Sequence, residues 1–210
     1  MKRSHKMIAG GLVLATLTAA TVLLIRRPDT PPQRQLESGH QIHLPPPQTK
    51  QGMSVAEAIA TRRSRREFRD QPLSTEQVSQ LCWATQGITN ESLGFRAAPS
   101  AGALYPATVF LVDRHGAYEY VPAGHAMRCI VEGDLRKELQ ALAHNQTCVG
   151  MAPACFVVTM DVAHTATKYG DRAERYCFIE AGHIAQNLLL QATSEGLCGV
   201  PVGAFDDQKL

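Results

Sequence analysis

The sequence contains no Cys-x-x-Cys pair, no G-x-G-x-x-G run and no internal repeat, and it has very little net charge. Each of these absences removes a class of protein. The six cysteines, Cys82, Cys129, Cys148, Cys155, Cys177 and Cys198, are scattered, and four stand among apolar neighbours, where small buried thiols are common. No ligand spacing for structural zinc is present, so no metal site is expected. A chain with this much core does not need a disulfide framework. A Rossmann domain needs its glycine fingerprint after a strand, so NAD(P)H, if used, should come and go instead of residing in a fold of its own. Glu180 and His183 have the E-x-x-H spacing of carboxylate di-iron helices. That site requires two such motifs and two further glutamates, and one copy is present. The net charge is +2, and Lys2, Arg3, Lys6, Arg26 and Arg27 all precede the first acid, Asp29. The remainder is mildly acidic and offers no nucleic-acid surface.

What is present falls into three stretches. Met7 to Ile25 is an uncharged, mostly apolar run that approaches the thickness of a bilayer core. A cleaved signal peptide would show a shorter apolar core and a small-x-small site, so residues 1–27 read as an uncleaved transmembrane helix, a single-pass N-terminal anchor. The slight excess of basic residues before the run favours an inside N-terminus and an exported domain, placing the chain at the bacterial inner membrane. Residues 28–52, with Pro31-Pro32 and Pro45-Pro46-Pro47, read as a semi-rigid spacer that can also lie along the domain by docking Ile42 and Leu44. Residues 53–210 are the folded domain.

Within that domain, Ser54 and Glu57 have capping-box spacing and open a helix that runs to about Arg62. Ser74 and Gln77 repeat the signature, and Gly87 ends that second helix. Residues 92–106 read as loop. Ala107–Val112 and Ala117–Val121 form a hairpin turning at Arg114-His115-Gly116. Asp134 caps a helix through Ala143, and Ala154–Met160 is a continuous apolar strand. From Tyr169 to Gly196 apolar residues recur at helical spacing on more than one face, predicting a long buried helix closed by Gly196. Its polar line, Glu180, His183, Asn187 and Gln191, then needs partners. Cys198–Val202 reads as a final strand. Helices and strands mix without strict alternation, so the expected class is an α+β sandwich around one mixed or antiparallel sheet.

Three segments carry chemistry. Arg62, Arg63, Ser64, Arg65 and Arg66 put four guanidiniums and a hydroxyl at a helix end. That suits a phosphate or, equally, a solvated helix end complementing the macrodipole. Pro99, Ser100, Ala101, Gly102, Ala103 and Leu104 form a small-residue loop. It either admits a planar ligand against the backbone or is an ordinary tight connection. Lys168 and Tyr169 place an ammonium beside a phenol, which should make the phenol a better base; the plainer reading is a helix start with a half-buried phenol.

Taken in order, R-R-S-x-R at Arg62–Arg66, P-L-S at Pro72–Ser74, W-A-T-Q-G at Trp83–Gly87, P-S-A-G-A-L-Y-P at Pro99–Pro106, E-A-G-H-I-A-Q-N-L-L-L-Q-A at Glu180–Ala192 and G-V-P-V-G-A-F at Gly199–Phe205 resemble one family. It is the FMN-dependent nitroreductase family and, within it, the SagB/ThcOx-type azoline dehydrogenases. The resemblance covers residues 43–207. It implies a homodimer with two FMN sites, each built from both chains, and two-electron hydride transfer to a small or peptide substrate with NAD(P)H as reductant. It implies that Arg62, Arg63, Ser64 and Arg66 hold the phosphate and ribityl chain, and that Pro99 to Leu104 line the ring. Pro201, Val202, Gly203 and Ala204 would approach the ring from the other end of the chain. Lys168 and Tyr169 match the pair associated with proton abstraction. Family members continue through a further strand, so the C-terminal end is expected to be short. The non-enzyme alternative is a membrane-tethered flavin-binding or scaffold protein.

Overall fold

The computed structural model describes residues 41–50 and 52–207 and, further back, the backbone of Leu24–Ile25. The apolar run read as a membrane anchor therefore lies outside the described residues except for its last two, which form a short strand, β1 (Leu24–Ile25), and are not helical. No helix among the described residues is long and apolar enough to cross a membrane.

From Gln41 the proline-rich stretch is fastened to the domain. β2 (Gln41–His43) joins the sheet edge, and Leu44 packs against the core and donates its N–H to His125 O at 3.0 Å. Ile42 stays 43% exposed, so of the two expected docking residues Leu44 supplies the anchor. Two helices follow where capping spacing placed them. α1 (Val55–Thr61) is capped by Ser54, which accepts the Glu57 N–H, and α2 (Thr75–Gln86) opens with a complete Ser74–Gln77 capping box. The stretch read as loop contains a small ribbon, β3 (Ile88–Asn90) with β4 (Phe95–Arg96).

The hairpin of β5 (Ala107–Asp113) and β6 (Gly116–Val121) is as expected, and β7 (Ala126–Glu132) extends it into a meander. The Arg128 and Glu132 positions blur the apolar alternation of β7, so its pattern is weak in sequence. α3 (Arg136–Leu142) begins one residue later than Asp134 suggests. The N-cap is Leu135, and the Asp134 carboxylate accepts from the Arg136 N–H and guanidinium. α4 (Thr147–Met151) precedes β8 (Ala154–Met160), whose bounds match the apolar run. The sheet order is β1-β8-β5-β6-β7-β2, antiparallel except for the β1–β8 pair.

α5 (Val162–Tyr169) and α6 (Ala173–Ser194) correct the long-helix reading at its start. Gly170, with φ 52 and ψ −131, breaks the chain between them, so Tyr169 ends one helix and does not open the next. The far end behaves as read: Gly196 has φ +71, its N–H reaches Thr193 O, and Leu197 N–H reaches Ala192 O, the paired bonds of a Schellman close. α6 is buried along Ala173, Cys177, Ala181 and Ile184, whereas Ile179, His183 and Gln186 on its other side are exposed. Cys198–Val202 is not a strand. It makes one isolated parallel bridge, Gly199 with Ser64, because its neighbour there is an extended loop and not a sheet edge.

Both sheet faces are covered, which is why β8 is apolar throughout. Val109, Val158, Cys177 and Ile184 belong to the layer under α2 and α6, and Val112, Val157, Leu139 and Val149 to the layer under α3 and α4. Each fully buried Val or Ile here contributes about 1.5–3 kcal/mol by transfer from water.

Candidate functional site

The basic segment is set by the end of α1. Arg62 turns to φ −53, ψ 126 and its N–H closes the helix on Ala58 O, after which the chain runs extended. The Arg63 guanidinium folds back onto Ala60 O and Arg62 O, at 2.9 and 2.7 Å, serving the helix C-terminus. Arg62, Arg65 and Arg66 have no side-chain partner among the described residues. Three unpaired cations in one short stretch repel one another and have no protein anion to offset them. Beside them, Ser64 bridges Gly199 and Arg65 N–H donates to Gly199 O at 3.1 Å. The structure therefore brings the arginines next to the Pro201–Ala204 segment, which is anchored by Gln146 Nε2 donating to Ala204 O at 2.9 Å and by Val200 and Val202 on the core.

The small-residue loop is a tight turn. Ser100 Oγ accepts the Tyr105 N–H at 2.9 Å across a 3-10 turn at Ala101–Ala103, with positive φ at Gly102, Ala103 and Tyr105. Left-handed backbone costs roughly 1–2 kcal/mol at a residue with a Cβ, so the surroundings must hold Ala103 and Tyr105 there. Several groups do so. Asn187 donates to Ala97 O at 3.2 Å, His164 Nε2 lies 3.2 Å from Leu104 O, and Arg96 N–H donates to Tyr105 Oη at 3.3 Å.

α5 delivers Lys168 and Tyr169 onto this same turn. A Cβ added at Gly102 would stand 2.6 Å from both Lys168 Nζ and Tyr169 Oη, so the glycine is required by φ and by space. The ammonium lies 5.6 Å from the Tyr169 ring centre, and Tyr176 of α6 packs edge-on against that ring at 4.8 Å. Below the turn sits a cluster that sequence reasoning did not assemble. Arg96 donates to Gln86 Oε1 at 3.0 Å and stacks over Tyr105 at 4.6 Å, beside buried Glu180. Only Glu180 had stood out, as part of the polar line on the long helix. That line divides: Glu180 and Asn187 face the turn, Gln191 bonds Glu195, and His183 faces solvent.

The two halves of the predicted site are not adjacent in one chain. The turn is gripped at Glu180 and Asn187, whereas α1 is tied to Ser194, whose hydroxyl accepts Met53 N–H at 2.9 Å. Glu180 and Ser194 are separated by about 21 Å along α6 at the helical rise per residue. A cavity of about 680 Å³ lies between α6, β8 and the 67–73 and 196–202 segments. Of the predicted site residues it takes in only Pro201 and Val202, and it is mainly apolar.

The nitroreductase family model matches residues 59–210, most of the chain. The chain belongs to the nitroreductase family. The Methanocaldococcus jannaschii protein MJ1384, provisionally named a nitroreductase, is 36% identical over 164 residues, 75% of this chain and 82% of its own length. A provisionally named nitroreductase structure from Ralstonia eutropha superposes with a TM-score of 0.69 at 30% identity, covering 86% of this chain and 82% of that one. The Vibrio harveyi NADPH:FMN oxidoreductase, solved with NAD+, matches with a TM-score of 0.51 at 26% identity, covering 71% of this chain and 56% of that one. As a nitroreductase-family member the chain is an oxidoreductase with the family's α+β fold. Every candidate site residue, from Arg62 to Ala204, lies inside the matched region.

Proposed function

We propose that this nitroreductase-family protein is an FMN-dependent oxidoreductase that moves two electrons as hydride between flavin and a small or peptide substrate, with NAD(P)H as reductant in the reductase direction. The observation that carries this reading is the trio of unpaired guanidiniums at Arg62, Arg65 and Arg66 beside the Gly199–Ala204 backbone. A phosphate monoester is the ligand such a segment lacks, because its oxygens accept several charge-assisted bonds at once. Bound FMN would supply the redox chemistry. Arg62, Arg63, Ser64 and Arg66 would hold its phosphate and ribityl chain, with Pro201 to Ala204 closing one side. The Pro99–Leu104 turn fits a planar ring, since its residues are small and its backbone is already held. The Vibrio harveyi neighbour's name supports FMN and NADPH as the pair.

The separation of the two halves along α6 is the reason to read the protein as a homodimer. Antiparallel pairing of α6 about a twofold would lay one protomer's turn beside its partner's basic segment. Val55, Ile59 and Ile179, at 70%, 56% and 50% exposure, are the apolar residues such pairing would cover. At the turn, Tyr169 would act as the base and Lys168 would stabilise its anion, the assignment that places the protein in the azoline-dehydrogenase branch. The N-terminal apolar run would tether the domain to the bacterial inner membrane, on the exported side. Protease treatment of intact spheroplasts tests the side, and cleavage only after lysis would overturn it.

The direct test of the main reading is colour and titration. Purified protein should carry or take up FMN, show flavin absorbance, and be bleached anaerobically by NADH or NADPH. Protein that stays colourless with excess FMN would end the proposal.

A further inference from the structure

The turn that carries Gly102 rests on a buried polar cluster that the proposed chemistry does not use. Glu180, 2% exposed, is the one buried carboxylate among the described residues. α6 brings it there between two other grips on the same region. One turn earlier Tyr176 packs edge-on against Tyr169, and two turns later Asn187 donates to Ala97 O. Around the carboxyl stand the Ser100 hydroxyl, the Arg96 guanidinium and the Gln86 amide. Ser100 accepts the Tyr105 N–H, and Arg96 bonds Gln86 and covers the Tyr105 ring, so all three neighbours of the carboxyl lead back to the turn.

The cluster is satisfied unevenly. Glu180 Oε1 and Gln86 Nε2 are buried and have no partner among the described residues. An ionised carboxylate with a dry, unbonded oxygen is far more costly than the neutral acid, which holds its own proton and can donate it to a neighbouring oxygen. The groups facing Glu180 from the packed elements are Arg96 from β4, Gln86 from α2 and Ser100 from the turn, with Cys177 on its own helix. Tyr105 and the Tyr120 phenol of β6 stand behind Arg96. Arg96 is the only cation among them, and Gln86 and Tyr105 already engage it.

We propose that Glu180 is a positioning residue: as the carboxylic acid it seats Ser100, and with it the left-handed backbone at Gly102 and Ala103, and on ionising it lets them go. Burial raises the Glu180 carboxyl from its ordinary range, with Ser100, Arg96 and Gln86 opposing that shift. Since Lys168 and Tyr169 pack on Gly102, their placement follows the Glu180 proton. The step from turn shape to catalysis rests on the reading that the turn lines a flavin; the step from Glu180 to turn shape does not.

The test begins without flavin. In apoprotein labelled with nitrogen-15, the Ser100 and Gly102 amides should shift in one titration whose midpoint lies above that of free glutamate, about 4.3. Glu180→Gln should abolish that titration and hold the amides at their acid-form positions, whereas Glu180→Ala should lose those positions. Wild-type amides that do not move, or that titrate equally in Glu180→Gln, would overturn the proposal. In the FMN-loaded protein, reduction by NADH should slow roughly tenfold above the same midpoint, and Glu180→Gln should not show that slowing. Flavin reduction that ignores the midpoint while the amides obey it would overturn the link to catalysis. Protein that binds no FMN yet keeps the amide titration would sink the flavin reading and support the role of Glu180.

Discussion

The Pro99–Tyr105 turn and the Arg62–Arg66 segment both lie next to candidate chemistry, yet they are built in opposite ways. The turn is tied from α2, β4, α5 and α6, through Gln86, Arg96, His164 and Asn187, and holds left-handed backbone at three residues. The basic segment is tied mainly through its backbone, at Gly199, and three of its guanidiniums extend unpaired. The difference teaches where the protein has already spent conformational entropy. A group that must shape a ring or a proton path is preorganised. Groups that hold a dianion can stay loose until the anion itself orders them.

That contrast can be broken at either end. The largest effect is expected from Tyr169→Phe, which keeps the ring against Tyr176 and removes the hydroxyl at Gly102. Substrate-driven flavin reduction should fall roughly 10²–10⁴-fold with FMN affinity unchanged, measured by anaerobic stopped flow with a thiazoline compound. An unchanged rate would remove Tyr169 from the mechanism. Next, Arg62→Ala with Arg66→Ala should weaken FMN binding roughly 10–100-fold, read by fluorescence titration, while the apoprotein melts as the wild type does. A fall in apoprotein stability would mean that these arginines belong to the fold. Arg96→Ala should do the reverse. It strands buried Gln86 and removes the cover of Tyr105, costing about 1–3 kcal/mol in urea unfolding of the apoprotein.

The smallest effect is expected away from both regions, where His125 clasps the residue 44–48 strap. Its Nε2 meets Ser79 Oγ at 2.7 Å and Pro45 O at 3.1 Å, and its Nδ1 meets Tyr120 Oη at 2.8 Å. Burial lowers His125, and the Pro45 carbonyl partly opposes this. The folded protein thus binds that proton less readily than the unfolded chain. Stability from this clasp is complete above the free imidazole value of about 6.5 and is lost as pH falls below it. The melting temperature should drop by ~2 °C more on acidification in wild type than in His125→Gln. Equal drops would show that the clasp does not titrate.

Much of the fold was legible because its signals are local. Ser74 and Gln77 close a capping box within one turn, β8 is apolar end to end, and Gly196 sits where a helix must stop. The failures are also physical. Gly170 breaks a helix that periodicity runs straight through, because Tyr169 and Ala173 both suit the pattern on either side. The Cys198–Val202 run has strand composition but meets a loop as its partner, and composition cannot know what lies opposite. At the site, Gly102 and the Lys168-Tyr169 pair could be named singly from sequence. That they touch across some 65 residues of chain could not be, nor that Arg96 and Gln86 stand beneath them.

The sequence by itself determined the caps, the strand runs, the motif order and hence the family, since these depend on residues a few positions apart or on spacing along the chain. Only the tertiary structure decided which polar residues of α6 are buried, that the phenol and ammonium meet at Gly102, and that the arginines lie far along α6 from the turn. Those facts depend on how helices seat on the sheet, where burial and contact are shared among segments distant in sequence and no single segment carries the information.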